Sequence, residues 1–113
     1  MRFLKNNDYR FNLEYMKKCY VNKNSKEDIF SVKIIDNNDS VELIDVNIRD
    51  MISSEGVEIE ENKKKEIIKR VKEECFYIIS MNDLFIEKDE IDIDDMVNDC
   101  LLSVLDTYIK SNK

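Results

Sequence analysis

The stretch IDDMVNDCLLSVLDTYI, residues 93–109, has the clearest structural pattern in this chain. Apart from Leu102, its apolar residues recur at intervals of three and four and comprise Ile93, Met96, Val97, Cys100, Leu101, Val104, Leu105, Tyr108 and Ile109. This spacing places them on one side of an α-helix over about four turns. Asp92 precedes the stretch and is suited to cap the helix, because its carboxylate can accept a hydrogen bond from a backbone N–H of the first turn. The stretch therefore predicts an amphipathic helix with one face in a core.

A second apolar stripe lies earlier in the chain and predicts a helix that begins between Glu60 and Asn62. Phe76 and Tyr77 widen its apolar face near the end, so we expect that end to pack against two neighbours. Together the two helices supply the helical side of the predicted core, which consists of Ile67, Ile68, Val71, Cys75, Ile78, Val97, Cys100, Leu101, Val104 and Leu105.

The first half of the chain has the two-residue period of β-strands. Apolar residues alternate in three segments, namely Tyr9, Phe11, Leu13 and Tyr15; Phe30, Val32 and Ile34; and Val41, Leu43, Ile44, Val46 and Ile48. Residues 36–39 are Asp-Asn-Asn-Asp, which is typical of a turn between two strands of a hairpin. The change of phase between Leu43 and Ile44 predicts a β-bulge or a twist there. A helical interpretation of residues 11–21 stays open, because Phe11, Tyr15 and Cys19 are spaced four apart.

These patterns predict an α+β fold: an antiparallel β-sheet of about three strands from the N-terminal half, covered by two C-terminal amphipathic α-helices. The length of 113 residues fits a single small acidic domain over residues 1–113. Gly56, the one glycine, indicates a positive φ angle at a turn or a helix C-cap. The sequence has no signal-peptide or membrane-spanning stretch, and its three cysteines are widely separated, so we predict a cytoplasmic protein.

Negative charge is concentrated around the start of the final helix. Residues 87–106 contain eight acidic residues and one lysine, a local charge of −7, and the whole chain also carries −7. At the centre of this segment are Asp89, Glu90, Asp92, Asp94, Asp95 and Asp99. We predict that these six residues bind a partner protein with a basic surface.

The residue inventory argues against catalysis. The chain has no histidine, which removes the usual base of Ser/His/Asp and Cys/His systems. A carboxylate pair of the glycosidase kind stays open, since the separation of two acids cannot be read from the sequence. With one glycine, the chain also lacks the glycine-rich loop that cradles phosphates. We therefore predict a protein that is not an enzyme and holds no cofactor.

The inventory also argues against a metal site. An EF-hand loop starting at Glu90 has Asp95 in the glycine position and Leu101 in the place of the bidentate glutamate. The clustered Cys and His ligands of a zinc site are missing. We predict no metal, and the alternative is a looser Mg²⁺ or Ca²⁺ site formed by Asp92, Asp94, Asp95 and Asp99.

Charge and size favour a binding role without direct nucleic-acid contact. With a pI of about 4.7 the chain is negatively charged at neutral pH, and phosphate groups would repel it. The main hypothesis is an inhibitor or immunity-type protein that occupies the positive cleft of a basic, nucleic-acid-handling enzyme or toxin. This comparison rests on size and charge. The alternative is an assembly subunit or homo-dimer that uses apolar residues outside the core stripes, namely Leu102 and residues 84–86. A third interpretation is that the acids only keep the surface solvated.

Overall fold

A computed structural model describes residues 2–6, 9–80 and 89–111 of the chain. These residues form an α+β fold, as the sequence predicts. In chain order the elements are β1 (Phe3–Lys5), β2 (Arg10–Asn12), a 3-10 helix (Leu13–Tyr15), β3 (Met16–Val21), β4 (Ile29–Asp36), β5 (Val41–Asn47), α1 (Ile48–Ser54), α2 (Glu61–Ser80), β6 (Glu90–Asp92) and α3 (Ile93–Ser111). The predicted apolar residues 84–86 lie outside the described residues.

The larger sheet is antiparallel, with strand order β3-β4-β5. Phe30 pairs with Val46 and Val32 with Ile44, and all four side chains are buried on the face that meets the helices. The hairpin turn forms as predicted: the Asp36 carboxylate accepts hydrogen bonds from two backbone N–H groups of the turn, and Asp39 takes a positive φ of 64°.

The bulge predicted between Leu43 and Ile44 is wrong. Pairing of β4 with β5 runs without a break from Ile29↔Asn47 to Ile35↔Val41. The phase change instead reflects apolar residues on both faces of β5, since Leu43 lies on the outer face and is 52% exposed. The one register shift in this sheet, within the described residues, lies on β3 between Met16 and Lys18.

The continuous strand predicted from Tyr9 to Tyr15 is also wrong, because β2 ends at Asn12. The Asn12 side chain accepts a hydrogen bond from the backbone N–H of Glu14 and starts the short 3-10 helix, which leaves Leu13 buried and Tyr15 exposed. The helical alternative for residues 11–21 fails too, since β3 occupies Met16–Val21 and pairs with β4.

A second, smaller sheet was not predicted. Its strand order is β2-β1-β6, with β1 antiparallel to β2 and parallel to β6. Leu4 lies at its centre, fully buried, opposite Phe11 on one side and Ile91 on the other. This sheet fixes the N-terminal strand beside the entry to α3.

Both predicted helices form, and α2 packs against α3. Nine of the ten predicted core residues on these helices are buried, and Ile78 is partly buried against the same cluster. As predicted, α2 contacts two neighbours, α3 and β3, although the Phe76 and Tyr77 side chains stay 39% and 63% exposed. Ile48, assigned to a strand from the sequence, instead begins α1, and Gly56 follows that helix with a φ of +70°.

Candidate functional site

The site is built where β6 enters α3. The backbone N–H of Asp95 donates to Asp92 Oδ1 at 3.2 Å, so Asp92 caps α3 as the sequence predicts. Because Glu90 and Asp92 alternate with buried Ile91, both carboxylates extend from the same face of β6. Asp95 and Asp99 follow on α3 one turn apart. These four carboxylates line one cleft of about 440 Å³, which we call the acidic cleft.

Lys5 of β1 lies within the acidic cleft and partly neutralises it. Its Nζ is 3.5 Å from Glu90 Oε1 and 3.7 Å from Asp92 Oδ2. Arg10 of β2 also approaches Glu90 Oε1, at 3.9 Å. Four carboxylates less the Lys5 ammonium leave a charge of −3 among the ionised side chains that line the cleft. Asp95 and Asp99 therefore carry most of the negative charge that is available to a partner.

Two of the six predicted partner-binding residues do not reach the cleft. Asp89 is exposed beside it, and its backbone carbonyl accepts a hydrogen bond from the N–H of Phe3 at 2.8 Å. Asp94 is half-buried and lies about 100° around the α3 axis from Asp95. The structure thus brings Glu90, Asp92, Asp95 and Asp99 together and leaves Asp89 and Asp94 apart.

The exposed side of α3 extends the site beyond the cleft. Asp95, Asp99, Leu102, Asp106 and Ile109 lie within about 40° of one direction around the helix axis, opposite the buried face. We call these five residues the acidic stripe. Leu102 is 44% exposed and Ile109 is 43% exposed. Asp106 also pairs with Lys110, 3.0 Å away.

Sequence reasoning missed the continuity of this stripe. It treated the acids and Leu102 as evidence for two different functions and placed Ile109 on the apolar face. The signal that could have shown it is the spacing i, i+4, i+7, i+11 and i+14, because residues at these intervals lie on one side of a helix.

The cleft combines its carboxylates with one thiol. Cys100 lines it, and a hydrogen bond between Cys100 and the Cys75 thiol, in the core between the two helices, lowers the pKa of Cys100. That hydrogen bond, together with burial, raises the pKa of Cys75, so this thiol stays protonated. In residues 2–6, 9–80 and 89–111, no group of three or more carboxylates and thiols is arranged to hold a metal ion.

None of the helices described here combines the length and apolar character needed to cross a lipid bilayer. Comparisons of the chain with models of protein families, with curated proteins and with solved structures gave no match.

Proposed function

We propose that this chain is a non-enzymatic binding protein whose acidic cleft and acidic stripe dock onto a positively charged surface of another protein. The observation that supports this most directly is the alignment of Asp95, Asp99 and Asp106 on the one side of α3 that faces away from the core. The stripe extends about 21 Å along the helix, from Asp95 to Ile109, at 1.5 Å per residue.

A regular row of carboxylates presents to a cationic surface the kind of charge that a nucleic-acid backbone presents. A nucleic-acid-handling enzyme or nuclease toxin has such a surface in its substrate cleft, and occupying that cleft would inhibit it. Complementary charge accelerates association and selects the partner. The exposed Leu102, between Asp99 and Asp106, and Ile109, at the end of the stripe, add apolar contacts that slow dissociation. The protein is on this proposal an inhibitor or immunity-type protein.

We also infer that it acts in the cytoplasm. All three cysteines, Cys19, Cys75 and Cys100, are free thiols. Unpaired cysteines of this kind are typical of a reducing compartment.

The test is capture of basic proteins by the tagged chain, with two charge-reversed variants that change net charge equally. D95K/D99K alters the stripe, and E55K/E58K alters two exposed positions outside both the cleft and the stripe. We expect wild type and E55K/E58K to retain the same basic protein at about 50 mM salt and to release it near 200 mM. D95K/D99K should lower the association rate with that purified protein at least about tenfold. Equal binding by all three proteins would contradict the proposal.

A second candidate function is self-assembly through the same helix, favoured by the exposure of Leu102 and Ile109 on the acidic stripe. Sedimentation of Leu102→Asp against wild type separates the two functions, with Leu43→Asp as the control because Leu43 is similarly exposed on β5. A dimer that only Leu102→Asp converts to a monomer supports assembly. A wild type that stays monomeric at high concentration contradicts it.

A further inference from the structure

A second concave surface lies between α2 and the segment that connects β3 to β4. It encloses about 550 Å³, within the range typical of small-molecule sites. Its accessible apolar surface comes from Val21 at the end of β3 and Phe76 near the end of α2, and the buried Phe30 of β4 lies at its base. We call this surface the lysine groove. It shares no lining residue with the acidic cleft.

Four lysines surround this apolar surface. Lys65, Lys69 and Lys72 lie along α2 at i, i+4 and i+7, so they share one side of the helix. Lys23 lies on the opposite wall, with its Nζ 5.0 Å from the centre of the Phe76 ring. Phe76 lies farther along the same side of α2, so the lysines are adjacent to the apolar surface of the groove.

Lys72 shapes the groove and has no remaining N–H to offer a ligand. Its ammonium donates to Ser25 Oγ at 3.4 Å, to the Lys26 carbonyl at 3.1 Å and to the Glu27 carbonyl at 3.4 Å. An ammonium has three N–H donors, and all three are used here. Partial burial lowers the pKa of Lys72, in keeping with its position inside the wall. These bonds hold the β3–β4 connection against α2.

Lys65 and Lys69 keep their positive charges available to a ligand. Three glutamates also line the groove, so the lining carries four positive and three negative charges, a balance of +1 in a chain of −7. One of the three glutamates, Glu66, forms an ion pair at 3.3 Å with Lys63, which lies outside the groove lining. Among the described residues, neither Lys65 nor Lys69 has a carboxylate within 4.0 Å.

We propose that the lysine groove binds an amphiphilic carboxylate of the fatty-acid class. The alkyl chain lies over Val21 and Phe76, and the carboxylate lies between the Lys65 and Lys69 ammonium groups. Side chains four apart on a helix are close enough for both to contact one carboxylate. An apolar floor with a few charged groups at the rim provides affinity through the chain and orientation through the head group. This site is separate from the acidic stripe and does not depend on the function proposed above.

The test is titration of the full chain with decanoate below its micelle concentration, followed by calorimetry and by the melting temperature. Decanol and decyltrimethylammonium are the comparison ligands, with the same alkyl chain and a neutral or a positive head. The variant K65E/K69E reverses the groove charge. Its matched control, K64E/R70E, reverses two charges on α2 that lie outside the groove lining and pair with none of its residues.

We expect one decanoate to bind per chain and to raise the melting temperature, since binding to the folded state alone stabilises it. Decanol should bind at least tenfold more weakly, and decyltrimethylammonium more weakly still. K65E/K69E should weaken decanoate binding at least tenfold, while K64E/R70E stays within about twofold of wild type. The proposal is overturned by equal affinities for decanoate and decanol, by equal losses in the two variants, or by binding of an acidic peptide without binding of decanoate.

Discussion

At the residue scale, Arg49 of α1 joins segments that are distant in sequence. Its Nε donates to Asp28 Oδ2 at 2.9 Å, and its two terminal nitrogens bind the two carboxylate oxygens of Glu61 at 2.7 and 2.9 Å. Asp28 precedes β4 and Glu61 begins α2, so one guanidinium links the sheet, the short helix and the long helix. Bidentate geometry of this kind is what distinguishes arginine from lysine.

The ion pair between Arg49 and Glu61 predicts a pH dependence of stability. The hydrogen bonds from Arg49 lower the pKa of Glu61 below its ordinary value of 4.5. A carboxyl group whose pKa is lowered by folding stabilises the protein fully above its unfolded pKa, and this stabilisation is lost as the pH falls through the folded pKa. Glu61→Gln should therefore lower the urea midpoint at pH 7, and its difference from wild type should shrink below about pH 4.5.

The control for that prediction is Glu58→Gln, because Glu58 is exposed in the connection before α2. Its urea midpoint should follow wild type across the whole pH series. A Glu61→Gln difference that stays constant from pH 7 to pH 3 would show that the Arg49 pair does not control this titration.

At the element scale, β5 has apolar side chains on both of its faces. Ile44 and Val46 are buried against the helices, while Val41 and Leu43 face outward and are exposed. The helices cover only the inner face. Leu43 therefore stays largely in water and adds little hydrophobic free energy to folding. The stability of the hairpin therefore depends on alternate residues of the strand.

This arrangement predicts very different results for neighbouring truncations. Ile44→Ala should lower the free energy of unfolding by about 2–5 kcal/mol, because it leaves a cavity in the core. Leu43→Ala should change it by about 0.5 kcal/mol or less, as an exposed substitution. Urea unfolding followed by circular dichroism measures both. Similar losses at the two positions would mean that the strand is bulged and that Leu43 is also buried.

At the scale of the whole molecule, the small sheet closes the fold by pairing segments from opposite ends of the chain. The backbone N–H of Phe3 donates to the Asp89 carbonyl at 2.8 Å, and that of Leu13 donates to the Arg2 carbonyl at 2.8 Å. Leu4 fills the centre of this sheet, and α3 starts immediately after β6. The position of the acidic cleft therefore depends on the N-terminal strand.

Truncation of that strand's central side chain tests this dependence. Leu4→Ala should lower the free energy of unfolding by about 2–5 kcal/mol and speed hydrogen exchange at the Phe3 amide. Lys5→Ala, at the next position, should cost about 1 kcal/mol or less, because its ion pairs are partly exposed. If Leu4→Ala leaves the stability unchanged, the N-terminal strand does not form part of the core.

The whole molecule also separates its charges. The acidic stripe occupies the outer side of α3, and the lysine groove occupies a flank of α2 beside the β3–β4 connection. Two proposed sites of opposite charge can thus act independently, since neither shares a residue with the other.

The elements with a long repeating pattern could be predicted from the order of the residues. Helices α2 and α3, strand β4 and the helical core residues follow from periods of 3.6 and 2, because those periods fix which side chains share a face before any distant contact forms. The cap at Asp92 and the turn before β5 are likewise local, since each is made by hydrogen bonds within a few residues. The concentration of acids at the start of α3 was also visible from composition alone.

How distant segments meet follows from the packed fold and not from local patterns. Strands β1 and β6 have three residues each, too few to show a period, and their pairing brings Lys5 against Glu90 and Asp92. The lysine groove likewise forms between a helix and a connection that are far apart in the chain. Local patterns fix the faces of each element, but the contacts between faces depend on closing long loops and packing one shared core.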